Sequence, residues 1–241
     1  MRQFFVEEKP AVGSRVRLAP EDERHLLRVL RAEEEEPIQV AHGGELFRGR
    51  LKIEDGGAFV SIEEKVEVER TEGRLVLAQG VGKNQKTETV LKHGTECGID
   101  AFIPVQTDRS VSNLAKKYST KRTRFEKIAE EAAKQSNRSR VPTIGDLLTV
   151  DGLIDAVGED SDLIVCYEGD VKRDILDLDL AADRDAYVLV GAEGGLSERE
   201  VARLEKSGAI FVTMGPNILR TETAGIVASY VLSRLMERGK R

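Results

Sequence analysis

From residue 1 to about residue 70 the apolar positions recur at period two. Arg15-Val-Arg-Leu, Ile38-Gln-Val, Leu46-Phe-Arg-Gly-Arg-Leu and Phe59-Val-Ser-Ile each alternate as a half-buried strand does. Gly43-Gly44 and Asp55-Gly56-Gly57 supply turns between them. One stretch breaks the alternation. Leu26, Leu27 and Leu30 cluster at helical spacing and predict a short helix from about Glu21 to Arg31. Short strands with one helix predict a small β-barrel.

From about Leu75 the period changes. Leu75 to Gln79, Ile99 to Val105, Leu163 to Tyr167, Tyr187 to Ala192 and Ala209 to Met214 are apolar runs of strand length. Lys86 to Cys97, Thr120 to Ser136, Ser197 to Lys206 and Thr223 to Glu237 carry helical patterns between and after them. Strand and helix in alternation predict an α/β layered domain with a mainly parallel sheet. The charged stretch Glu63 to Gly73 is the expected boundary, which gives domains 1–70 and 71–241.

Composition narrows the classes. There is no apolar run of the roughly 20 residues that span a bilayer, so no membrane partner is expected. The N-terminus, MRQFFVEEKP, lacks the apolar core of a signal peptide. Cys97 and Cys166 stand apart from other ligand-type residues; both are expected as reduced, cytoplasmic thiols, with no metal site.

The formal net charge is -6, yet its distribution is uneven. Between Arg109 and Arg140 ten cations stand against three anions. Such a basic segment on an acidic chain fits an RNA-facing surface or a solvated helix face. On the first predicted helix, Arg24, Arg28 and Arg31 fall at i, i+4 and i+7 beside His25. Guanidiniums sharing a face repel one another, and phosphate would relieve that repulsion.

Two loops are candidates for chemistry. Gly191-Ala-Glu-Gly-Gly-Leu-Ser follows a predicted strand, and Ser197 with Glu200 forms a capping box that starts a helix. Gly215-Pro-Asn-Ile-Leu-Arg-Thr-Glu-Thr-Ala likewise links strand to helix. Turns of this kind present backbone N–H groups at the strand ends, where parallel sheets bind ligands. Together they predict one small-ligand cleft, with Ile218 and Leu219 as apolar walls and Arg220 and Glu222 at its mouth. Nucleotide and hydrolase motifs are absent. Gly80-Val-Gly82-Lys83 approaches a phosphate loop, but Leu77 stands where its first glycine belongs and Asn84 where Ser or Thr belongs. No G-x-G-x-x-G opens a helix after a strand, and no G-x-S-x-G elbow occurs.

Five motifs in order resemble the SPOUT methyltransferases, specifically the bacterial small-subunit ribosomal RNA uridine-N3 methyltransferases (RsmE type). They are His25-Leu-Leu-Arg-Val-Leu-Arg31, Thr95-Glu-Cys-Gly-Ile-Asp, Glu131-Ala-Ala-Lys-Gln-Ser-Asn-Arg138, Gly191-Ala-Glu-Gly-Gly195 and Ile218-Leu-Arg-Thr-Glu-Thr-Ala224. Two departures are visible: Ala192 replaces the family's usual proline, and Met214 precedes Gly215 where leucine is usual. The resemblance implies a PUA-like β-barrel followed by an α/β domain with a C-terminal trefoil knot. It implies a homodimer that acts on ribosomal RNA or the small ribosomal subunit, with S-adenosyl-L-methionine (SAM) as methyl donor. The implied cofactor-binding residues are Gly191, Glu193, Gly194, Gly195 and Leu196, then Met214, Gly215, Ile218, Leu219, Thr221 and Ala224.

Uridine N3 carries a proton that must leave before or during attack, so a base is needed. Glu222 is the candidate base, Arg220 the candidate stabiliser or phosphate anchor, and Glu193 the competing carboxylate. For RNA the expected contacts are Arg24, His25, Arg28 and Arg31 from the first domain. Arg109, Gln135 and Arg138 are expected from the second, the last two on one helical face. The alternatives are a SPOUT-fold enzyme acting on another RNA or on a ribose 2′-hydroxyl, and a non-catalytic RNA-binding assembly protein.

Overall fold

The alternating N-terminal segments form one five-stranded sheet in the order β1-β3-β4-β5-β2. The strands are β1 (Arg2–Phe5), β2 (Arg15–Arg17), β3 (Pro37–His42), β4 (Glu45–Glu54) and β5 (Gly57–Val66). The computed structural model describes residues 1–54, 57–68, 71–83, 85–111 and 114–239. The predicted turn at Asp55-Gly56 lies outside the described residues. The pairs β3–β4, β4–β5 and β5–β2 are antiparallel, whereas β1 runs parallel to β3. Phe4, Val16, Leu18, Leu26, Ile38, Val40, Phe47, Leu51, Val60 and Ile62 make the core of this unit. Each such side chain contributes about 1.5–3 kcal/mol by leaving water. The register slips between Arg48 and Gly49. A Cβ on Gly49 would sit 2.0 Å from the Ser61 carbonyl oxygen, so the strands approach there only because the residue is glycine.

The predicted helix from Glu21 to Arg31 forms differently. α1 (Pro20–Arg24) starts with proline in its first turn, where the missing N–H is not needed. A π-helical turn, His25–Val29, follows, closed by the Leu30 N–H on the His25 carbonyl. Arg31 then takes a left-handed conformation with φ 50°. Arg31 has therefore left the helix, and the expected i, i+4, i+7 face of arginines is not formed.

The second unit is a six-stranded, all-parallel sheet in the order β11-β9-β10-β6-β7-β8. Its strands are β6 (Leu75–Gly80), β7 (Ala101–Val105), β8 (Thr143–Ile144), β9 (Ser161–Cys166), β10 (Asp185–Val190) and β11 (Ile210–Val212). All six residues of β6 are buried, as expected of a central strand covered on both faces. One face carries α4 (Val150–Ala156) and α5 (Glu198–Lys206), whose Leu153 and Leu204 join Ala78, Val165 and Leu189 in one cluster. The other carries α2 (Lys86–Glu96) and α6 (Thr221–Arg238), which pack on each other and on β6. The capping box at Ser197 and Glu200 is formed.

The units divide between residues 69 and 70, but Ala133–Val141 groups with the first. This differs from the contiguous division expected. α3 (Tyr118–Gln135) ends at Gln135, and Asn137 is left-handed with φ 57°. The segment is held locally: Gln3 donates to the Arg138 carbonyl at 2.6 Å, and Lys134 pairs with Asp22 at 2.8 Å. Arg138 is thus past the helix end and shares no helical face with Gln135.

Candidate active site

The carboxyl ends of β9, β10 and β11 surround a cleft of about 570 Å³, bounded by both predicted loops. In the first loop the Gly195 N–H donates to the Ala192 carbonyl, and Gly195 adopts φ 67°. In the second, Gly215 adopts φ 102° and its carbonyl accepts from the Thr213 hydroxyl at 3.2 Å. Both glycines hold conformations that a side chain disfavours.

One buried residue ties the loops together. Gln79, on β6, donates through Nε2 to the Thr221 hydroxyl at 2.8 Å. That hydroxyl donates onward to the Gly191 carbonyl at 2.5 Å. The start of α6 is therefore fixed to the start of the first loop.

Most of the expected cofactor residues line this cleft: Gly191, Glu193, Gly195, Leu196, Met214, Gly215, Ile218, Leu219, Thr221 and Ala224. Arg220 lines it as well. Ile218 is 81% exposed and stands at the rim rather than as an inner wall. Gly194 lies behind the loop, where a Cβ would come within 2.9 Å of Arg109 Cβ and of the Arg109 carbonyl oxygen. Arg109, expected on RNA, lines the cleft and reaches the Gly194 carbonyl at 3.4 Å. Sequence reasoning missed Lys86 and the turn Cys166 to Gly169. The turn had a usable signal, since it follows a third parallel strand at the same sheet edge.

The ionic centre is Lys86 with two glutamates. Its Nζ is 3.3 Å from Glu193 Oε1 and 3.2 Å from Glu222 Oε2. Glu193 Oε1 also accepts from the Lys83 backbone N–H at 3.0 Å. Glu222 is held below the usual carboxylate range by its own backbone N–H, then by Lys86 and Arg220, against the opposing effect of burial. For Glu193, burial pushes upward, but the Lys83 and Glu193 N–H groups and Lys86 outweigh it. Glu222 and burial act oppositely on Lys86, and with Glu193 added the ammonium is favoured. Burial pushes the Cys166 thiol up to about 12, which favours the neutral thiol over the thiolate.

The cations expected on RNA are unevenly engaged. Arg24, His25, Arg28 and Arg31 are exposed. Their side chains form no hydrogen bond or ion pair among the described residues. In the same unit Arg2, Arg15, Arg17, Arg48, Arg50, Lys52 and Lys65 each face a glutamate. The basic segment from Arg109 to Arg140 is partly consumed internally. Lys121 and Arg124 grip the buried Glu88 at 2.9 and 2.7 Å, and Arg122 pairs with Glu126 and Asp146. Gln135 is exposed and belongs, with Arg138, to the first unit rather than the second. Among the described residues no helix is long and apolar enough to cross a membrane. No group of three or more potential metal ligands gathers among them.

Comparison with known proteins fits this geometry. A family model for an RNA methyltransferase domain matches residues 69–233. The ribosomal RNA small subunit methyltransferase E of Bacillus subtilis is 32% identical, covering 97% of this chain and 96% of its own. Its Aquifex aeolicus counterpart is 31% identical, covering 93% and 95%. The crystal structure of ribosomal RNA small subunit methyltransferase E from Neisseria gonorrhoeae bound to S-adenosyl methionine superposes with a TM-score of 0.81, at 26% identity and over 98% of each chain. The chain belongs to the RNA methyltransferase family, among the ribosomal RNA small subunit methyltransferases E.

Proposed function

We propose that this chain methylates N3 of a uridine in small-subunit ribosomal RNA, with SAM as donor. The observation that carries the reading is the cleft itself. Two strand-to-helix loops, joined through Gln79 and Thr221, enclose a volume suited to a small ligand, and Glu222 stands behind its lining, ion-paired to the lining residue Lys86. Leu196, Leu219 and Ala224 offer apolar contact for a purine ring, and Glu193 offers a charge opposite to a sulfonium or ammonium group.

Bound SAM supplies a methyl group on a sulfonium, whose leaving group is a neutral thioether. The protein must bring the acceptor in line and remove one proton. Glu222 takes the N3 proton as the new N–C bond forms and the S–C bond breaks. Arg220, exposed beside it, steadies a uracil oxygen or the adjoining phosphate. Arg24, His25, Arg28 and Arg31 supply phosphate contacts from the first unit. Gln135 and Arg138 add contacts there, and Arg109 contacts RNA from the cleft.

The same reading includes a PUA-like barrel for the first unit and a trefoil knot at the C-terminus. The return of the chain from edge strand β11 to helix α6, packed on central β6 and β10, supports the knot. It also includes a homodimer in the cytoplasm; the exposed Val227 and Tyr230 of α6 favour a covered helix face. The decisive variant is Glu222→Gln. Methyl transfer is expected to fall by about 10²-fold or more while SAM affinity persists. Full turnover by this variant would contradict the base assignment.

A further inference from the structure

We propose that Lys86 is a positioning residue for methyl transfer, its ammonium bridging Glu193 and Glu222 so that Glu222 stays an aimed carboxylate. The inference rests on the reading above that Glu222 is the base.

Three elements meet at this ammonium. Lys86 is the first residue of α2, Glu193 comes from the loop after β10, and Glu222 from the first turn of α6. The distances of 3.3 and 3.2 Å put both carboxylates on one charge. Glu222 Oε2 is buried and takes no hydrogen bond, so the ion pair is what compensates it. The charged groups acting on Glu222 are Lys86 from α2 and Arg220 from its own helix cap, and Glu193 from the first loop shares the same ammonium.

The segment Gly80-Val-Gly82-Lys83, which fails as a phosphate loop, serves this bridge. The Lys83 N–H holds Glu193 Oε1. A Cβ on Gly82 would lie 3.2 Å from Lys86 Cβ, a tight approach, and 3.4 Å from Glu193 Oε1, an ordinary contact. Without the ammonium, Glu222 loses the counter-charge at 3.2 Å and takes up a proton more readily, because a nearby opposite charge favours the ionised form. A protonated Glu222 cannot accept the N3 proton. Lys86 therefore acts through Glu222 and need not touch the uracil.

The test is single-turnover methyl transfer to small-subunit RNA across pH, with SAM affinity by calorimetry. Wild type, Lys86→Met, Lys86→Arg and Glu222→Gln are compared. For Lys86→Met the account expects a loss of about tenfold or more at neutral pH. Its acid limb should move up by about one pH unit, with rate recovering as pH rises. SAM affinity should change far less than the rate, and Lys86→Arg should keep the wild-type limb. An unmoved limb in Lys86→Met overturns the proposal, as does a loss of SAM affinity matching the loss of rate. Full turnover by Glu222→Gln overturns the base assignment and this inference together. An inactive Glu222→Gln beside an unmoved Lys86→Met limb overturns the inference alone.

Discussion

Gly194 lies in the loop after β10 and Glu222 in the first turn of α6, and only Glu222 was readable from side-chain chemistry, Gly194 entering by resemblance. Glu222 was visible because a carboxylate follows an arginine at a predicted helix start. Its partner Lys86 was not, because about 136 residues separate them and only the return of α6 onto α2 joins them. Gly194 read as one glycine among three in its loop. The structure gives it a particular reason: no Cβ fits against Arg109. Gly194→Ala should cost about 1–3 kcal/mol of loop placement through overpacking. At 1.4 kcal/mol per decade, SAM affinity should fall about tenfold. Isothermal titration checks it, and unchanged affinity would mean the loop yields freely.

Elements were legible where a run of buried apolar residues marks them. β6, β9 and β10 carry the apolar runs Leu75 to Ala78, Leu163 to Val165 and Val188 to Val190, because helices cover both faces of a parallel sheet. β1 was missed since Arg-Gln-Phe-Phe does not alternate cleanly, and α4 was missed because seven residues scarcely display a period. The π turn had no sequence signal: its apolar residues satisfy an α pattern equally well. The basic pattern of α3 was read as surface, but tertiary pairing with Glu88 takes two of its cations. Burial raises the Glu88 pKa and its cations lower it, with a net fall. A depressed folded value stabilises the fold above the ordinary glutamate pKa of about 4.3. That stability is lost as pH falls through the folded value. Thermal melts should therefore show wild type above Glu88→Gln at neutral pH, with the gap closing in acid. A gap independent of pH would contradict this pairing.

At the scale of the whole molecule, the free cations of the first unit carry the claim about RNA. Replacing Arg24, Arg28 and Arg31 with glutamine should weaken RNA binding and flatten its dependence on salt. Each phosphate that is no longer neutralised lowers the log–log slope by about 0.7–0.9. Arg48→Gln, which removes a cation already paired with Glu64, should change the slope little. Equal effects from both sets would show that the unpaired arginines have no special part.

The most direct test of the central claim is nucleoside analysis after reaction. The purified protein is incubated with methyl-labelled SAM and small-subunit RNA, and the RNA is digested and resolved by mass spectrometry. The account predicts label in 3-methyluridine at a single position, dependent on Glu222. Label in a ribose 2′-O-methyl group, or no transfer from a protein that binds SAM, would contradict it.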